Sequence, residues 1–170
     1  YIRFWMKFVE LNGVVKGNTT VTITGGTVGS SAAASDTNGN VYGGGKGAST
    51  VVGGNVIVNL GTRSGEAPSF TYTGDGLVKH NVYGGSALGK VNDAEADLTT
   101  VNILSGTMHG NTYGGGLGQA GVGNVTKGQV NGTINVNIGA NTGTNESPVY
   151  VGYATIDGDM TDIDTIQQII

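Results

Sequence analysis

Cysteine is absent from the 170-residue chain, which excludes disulfides, thiol chemistry and cysteine-ligated metals. Charge is scarce as well: eight Lys and Arg against twelve Asp and Glu leave a net charge of -4. The basic residues are scattered from Arg3 to Lys127 without a cluster. Nucleic-acid binding is therefore disfavoured, because affinity for a phosphate backbone needs a basic patch that displaces its counterions. No long hydrophobic run occurs either. The opening segment Tyr1 to Val9 is apolar but short, and it carries Arg3 and Lys7, so membrane insertion is not expected. Proline occurs only twice and histidine only twice.

What is abundant is glycine. The 33 glycines are more than double the ~7 % of average usage. They show no period of three, which rules out a collagen helix. They alternate with Val, Ile and Thr runs able to bury apolar surface, which distinguishes the chain from a disordered linker. One core's worth of sequence is present, and a single folded unit is the expectation.

Two markers recur in a fixed order. The string Asn40-Val-Tyr-Gly-Gly-Gly45 returns as Asn81-Val-Tyr-Gly-Gly-Ser86, as Asn111-Thr-Tyr-Gly-Gly-Gly116, and in decayed form as Pro148-Val-Tyr-Val-Gly152. Ahead of each stands an alternating apolar segment: Thr20 to Thr24, Val56 to Leu60, Thr100 to Ile103 and Ile134 to Ile138, anchored at Val21, Val58, Val101 and Val136. The spacing, roughly 30 to 40 residues, is that of repeat architectures. Alternation with Thr or Asn is the signature of a strand with one buried face. The Asn-Val-Tyr runs read as short strands ending in glycine corners, where positive φ and close backbone approach are both available. Length varies mainly between the markers, at 29–39, 62–79, 106–110 and 140–147, which reads as loops on one face.

Units this short must stack to close a core. The expected fold is all-β, a parallel β-solenoid of about four irregular repeats over residues 14–152. An N-terminal strand or cap occupies 1–13, where Ile2, Phe4, Met6 and Phe8 alternate with polar and aromatic neighbours. A C-terminal cap or linker, read as a short helix, occupies 153–170. A β-sandwich is the alternative, since many short strands separated by turn signals suit it too.

The V-x-I-x-G-G and N-V-Y-G-G-G units resemble the glycine-rich repeats of large secreted bacterial surface and adhesin-like proteins, over about residues 14 to 152. That resemblance implies an extracellular, cell-surface location and a structural or adhesive role, as a fibre-forming subunit or a segment of a larger adhesin. It carries over no catalytic residue. The partners it implies are other copies joined end to end, or other surface proteins, with glycans as a further class.

Catalysis needs convergent titratable groups. Glu66, Asp75, Asp93, Glu95 and Asp97 fall in or beside loops without the paired spacing of a glycosidase, and Lys79, Lys90 and Lys127 are the only supply of cations for a polysaccharide lyase. The expectation is a protein that is not an enzyme, with a carbohydrate-binding or polysaccharide-cleaving β-helix module as the alternative. Tyr42, Tyr83 and Tyr113 are the candidate ligand-binding residues: an outward aromatic row would accept sugar rings, whereas a packing ladder would spend the same rings on one another. His80 and His109 each stand close before a repeat tyrosine, a conceivable metal pair if stacking brings them together, and otherwise loop residues. Asp157, Asp159, Asp162 and Asp164 are the candidate metal ligands. Asp157-Gly-Asp159 opens like a calcium loop, but Asp162 stands where its glycine belongs and Gln168 where its bidentate Glu belongs. The plainer reading is that Thr161 or Asp162 caps a helix with an Ile163, Ile166, Ile169 and Ile170 stripe. No cofactor is expected, with calcium as the one exception.

Overall fold

The computed structural model describes residues 13–30, 35, 37–66, 69–119, 127–141, 150–151 and 154–156. Among these the chain is all β, with no helix, and its sheets are predominantly parallel. The sequence segments anchored on valine form one four-stranded parallel sheet, Thr19–Ile23, Val56–Leu60, Leu98–Ile103 and Thr133–Ile138, lying side by side in chain order. Its register places Val21 beside Val58, Val58 beside Val101, and Val101 beside Val136. We call this the long sheet. Alternation decides its two faces: Val56, Val58, Leu60, Val101 and Ile103 are fully buried, while Ile57, Asn59, Thr100 and Asn102 point the other way and stay partly or wholly exposed.

Three further parallel sheets run in the same order. Thr27–Val28, Leu77–Val78, Gly106–Met108 and Ala154–Ile156 form the second. Val41–Tyr42, Val82–Tyr83 and Thr112–Tyr113 form the third. Val14–Val15, Val51–Val52 and Lys90–Val91 form the fourth, which a single bridge from Val91 extends to Val130. All four sheets send side chains into one hydrophobic cluster, among them Val58 and Val101, Val78 and Met108, Val41 and Val82, and Val52 and Val91. Apolar side chains in the outermost strands are less covered: Val14, Val15 and Ile134 are exposed, and Val21, Ile23, Val136 and Ile138 are half-buried. Antiparallel pairing of the Greek-key kind, which the sandwich alternative requires, is not seen among the described residues; two local hairpins account for the paired antiparallel strands.

The pairing departs from the sequence reading in three places. Four parallel rows of strands are present rather than two, since Thr27–Val28 and Val14–Val15 each begin a row of their own. Stretches expected to be variable loop contain paired strands: Leu77–Val78 and Gly106–Met108 lie in the second sheet, and Thr62–Glu66 with Ser69–Thr73 make an antiparallel hairpin. Tyr150 does not extend the tyrosine row. Tyr150–Val151 pairs antiparallel with Ala140–Asn141, and Ala154–Ile156 then joins the second sheet, so parallel pairing runs past residue 152. The N-terminal strand expected at 1–9 and the helix expected at 161–170 lie outside the described residues.

The glycines after each tyrosine serve packing rather than positive φ. Gly43, Gly84 and Gly114 all lack positive φ. A Cβ at Gly43 would run into the Gly84 carbonyl and Val56, and one at Gly114 would run into Ile134. The chain therefore enters the core there as bare backbone, which only glycine allows. Positive φ is used elsewhere, at Gly61 (80°) and Gly139 (78°), where the chain leaves the long sheet for its two hairpins.

Candidate functional site

Tyr42, Tyr83 and Tyr113 stand in one row because their strands pair in register. Their neighbours Val41 and Val82 belong to the core, so alternation turns the tyrosines to the outer side of the third sheet. The rings stack on each other, Tyr42 and Tyr83 at 4.9 Å between centroids and 10° between planes, Tyr83 and Tyr113 at 4.8 Å and 13°. Tyr83, with both faces covered, is 5 % exposed, whereas Tyr113 at the end of the row is 42 % exposed. Asparagines two residues earlier brace the row. Asn81 donates its backbone N–H to Asn40 Oδ1 at 3.1 Å and its Nδ2 to the Tyr83 hydroxyl at 3.1 Å. Asn111 donates its backbone N–H to Asn81 Oδ1 at 2.8 Å. The tyrosine faces are thus spent mainly on one another, and Tyr113, at one end of the stack, is the most exposed of the three.

The two histidines do not share a register position. His80 Nδ1 lies 2.8 Å from Asn40 Oδ1. His109 follows Met108, which registers with Val78, so its place in the row is opposite Lys79 rather than His80. The acidic candidates are dispersed too. Glu66 sits exposed beside Ser69 near the tip of the hairpin. Asp97 closes a turn by accepting the Ala94 N–H on Oδ2 at 2.9 Å, while Ala94 and Asp97 also pair through their backbones at 3.1 Å. This turn separates Asp93, Glu95 and Asp97 from the strand that follows. Lys79 donates to the Ser30 carbonyl at 2.7 Å and Lys127 to Gln119 Oε1 at 2.7 Å. Asp157, Asp159, Asp162 and Asp164 lie outside the described residues, and among the described residues no group of three His, Asp or Glu is arranged to hold a metal ion.

A second polar row escaped the sequence reading. On the outer face of the long sheet, Asn59 Nδ2 donates to Thr22 Oγ1 at 3.1 Å, Asn102 Nδ2 to Asn59 Oδ1 at 2.8 Å, and Asn137 Nδ2 to Asn102 Oδ1 at 2.8 Å. Each member immediately follows one of the valine anchors, a fixed offset that would have revealed the row had the polar positions been aligned as the apolar ones were. The row floors a groove of about 540 Å³ whose wall includes Thr62, Arg63 and Tyr72 of the hairpin. Arg63 and Tyr72 are direct cross-strand partners, so both project from one face of the hairpin. The Arg63 guanidinium lies 4.6 Å from the centroid of the Phe70 ring.

No protein-family model, curated protein or solved structure matches the chain.

Proposed function

We propose that this protein is a non-enzymatic structural or adhesive component of a cell surface, built as a parallel β-solenoid of four irregular coils. The observation that carries the reading is the in-register parallel pairing of four sequence-related strands over one shared core, with Val21, Val58, Val101 and Val136 side by side. Such pairing makes a rigid rod whose stability adds coil by coil. The side-chain chemistry supports the same role. Asn and Tyr are committed to ladders along the axis, and the acidic residues to dispersed positions, an arrangement suited to holding shape.

End-to-end association between copies, or docking of other surface proteins, follows from the same geometry. Val14, Val15 and Ile134 are apolar and exposed at opposite ends of their sheets, and parallel sheet edges offer unpaired N–H and C=O groups to a further strand. Extracellular localisation follows from the resemblance to secreted glycine-rich repeats. Electron microscopy combined with sedimentation across a wide concentration range tests this reading: rods or filaments that lengthen with concentration are expected. A particle that remains a single globular monomer at high concentration removes the fibre role. Antibody labelling of intact source cells, expected to be positive, tests the location.

A further inference from the structure

We propose that the groove over the asparagine row binds an oligosaccharide that carries a carboxylate, lying along the row. The proposal deepens the adhesive reading given above and rests on it.

An asparagine amide has two N–H donors and an oxygen with two lone pairs. Asn59 and Asn102 each spend one donor toward the coil before and one lone pair toward the coil after. Each therefore keeps one N–H and one lone pair, and alternation directs the side chain outward. Strand spacing of about 4.8 Å repeats this donor–acceptor pair along the axis, close to the length of a sugar ring. A saccharide hydroxyl both donates and accepts, so a row of such pairs suits a chain of hydroxyl-bearing rings better than it suits an apolar or a polyanionic chain.

The wall sets the charge and supplies an aromatic surface. Among the described residues lining the groove, Arg63 is the only charged one and none is acidic. Its guanidinium packs on Phe70, the cross-strand partner of Gly65. A guanidinium oriented by a ring still presents N–H edges in a fork that matches a carboxylate. Tyr72, half-buried beside it, offers a ring against which a sugar can rest. With a single cation among the described residues of the groove and a net charge of -4 on the chain, the site suits an occasional carboxylate among hydroxyls rather than a dense polyanion.

The test is titration of the folded chain with 3′-sialyllactose, a trisaccharide with a single carboxylate, and, separately, with neutral lactose, read by calorimetry and by the side-chain amide signals of a ¹⁵N-labelled sample. Saturable binding of 3′-sialyllactose is expected, with shifts in the Asn59 and Asn102 side-chain amides. Affinity should fall about tenfold in Arg63→Gln, which removes one charge-assisted pair, and stay unchanged in Tyr113→Ala, at one end of the tyrosine row. Lactose should bind more weakly than 3′-sialyllactose and be insensitive to Arg63→Gln. Absence of saturable binding by either sugar overturns the groove proposal, as does binding that responds to Tyr113→Ala rather than to Arg63→Gln. Neither result touches the fibre reading, which particle shape and sedimentation decide on their own.

Discussion

Asn102 donates its side-chain amide to the Asn59 oxygen at 2.8 Å across 43 residues of sequence, and receives in turn the amide of Asn137. A side chain that serves as donor on one side and acceptor on the other couples three strands of the long sheet. Asn102→Ala should therefore cost about 1 to 2 kcal/mol, since two hydrogen bonds are lost while the groups left behind remain partly hydrated. Asn59→Ala should cost a similar amount, and the double variant less than the sum of the two, because the bond they share is lost in each. Chemical denaturation of the four proteins measures the coupling; strict additivity would mean that the row is a geometric coincidence.

Glycine substitutions separate packing from backbone freedom. Gly84 and Gly115 both lie in tyrosine–glycine strings, and neither has positive φ. A Cβ at Gly84 would lie 2.7 Å from Thr99 Cγ2 and 2.9 Å from Val101 Cγ2, whereas one at Gly115 would meet nothing within 4 Å. Gly84→Ala should destabilise by about 3 kcal/mol through overpacking, and Gly115→Ala should fall within about 0.5 kcal/mol of the parent. Thermal unfolding of the pair is sufficient, with equal melting temperatures counting against the packing explanation.

These contrasts also mark how far the sequence could be read. The valine anchors were legible because each sits in a five- or six-residue strand, long enough for period-two alternation to appear. Strands of two residues, such as Val14–Val15, Val51–Val52 and Leu77–Val78, carry no period, and their existence is decided by what the neighbouring strand presents. Tyr150 was misplaced for a related reason. A Val-Tyr pair resembles the marker locally, yet its position follows from the hairpin that leaves the long sheet after Gly139. Asn141 pairs there with Tyr150 as Arg63 pairs with Tyr72 after Gly61. In the candidate site, Tyr42, Tyr83 and Tyr113 were visible as a row, but which side of the sheet they occupy depends on Val41 and Val82 filling the core. The groove was not visible, since it joins hairpin residues to the outer face of strands as far off as Asn137, 74 positions from Arg63, and only register brings them together.

Ser86 interrupts the pattern informatively. Parallel bridges from Ala87 to Lys46 and to Leu117 set Ser86 in line with Gly45 and Gly116, so the hydroxyl stands where its neighbours have none. It is fully buried, and among the described residues its Oγ finds no hydrogen-bond partner. A buried hydroxyl left unpaired gives up its hydration without return. Ser86→Ala keeps the Cβ already accommodated and removes only the oxygen, and should raise stability by about 1 kcal/mol. Urea unfolding checks it; a loss of stability in Ser86→Ala would mean that the hydroxyl is satisfied in solution.

The tyrosine row makes a graded prediction from a single residue type. Tyr83 is covered on both faces and holds the Asn81 amide on its hydroxyl, whereas Tyr113 stacks on Tyr83 alone among the row and is 42 % exposed. Removing the buried central ring forfeits its apolar burial, two stacking contacts and the partner of a buried amide, so Tyr83→Ala should cost about 3 to 5 kcal/mol. Tyr113→Ala loses one stacking contact and a smaller buried area, which places its cost nearer 1 kcal/mol. Near-ultraviolet circular dichroism supplies a second measure, because close parallel rings couple their transitions: the tyrosine signal should fall sharply in Tyr83→Ala and only partly in Tyr113→Ala. If the two variants lose equal stability and equal signal, the row is a set of independent surface side chains rather than a ladder braced at its centre.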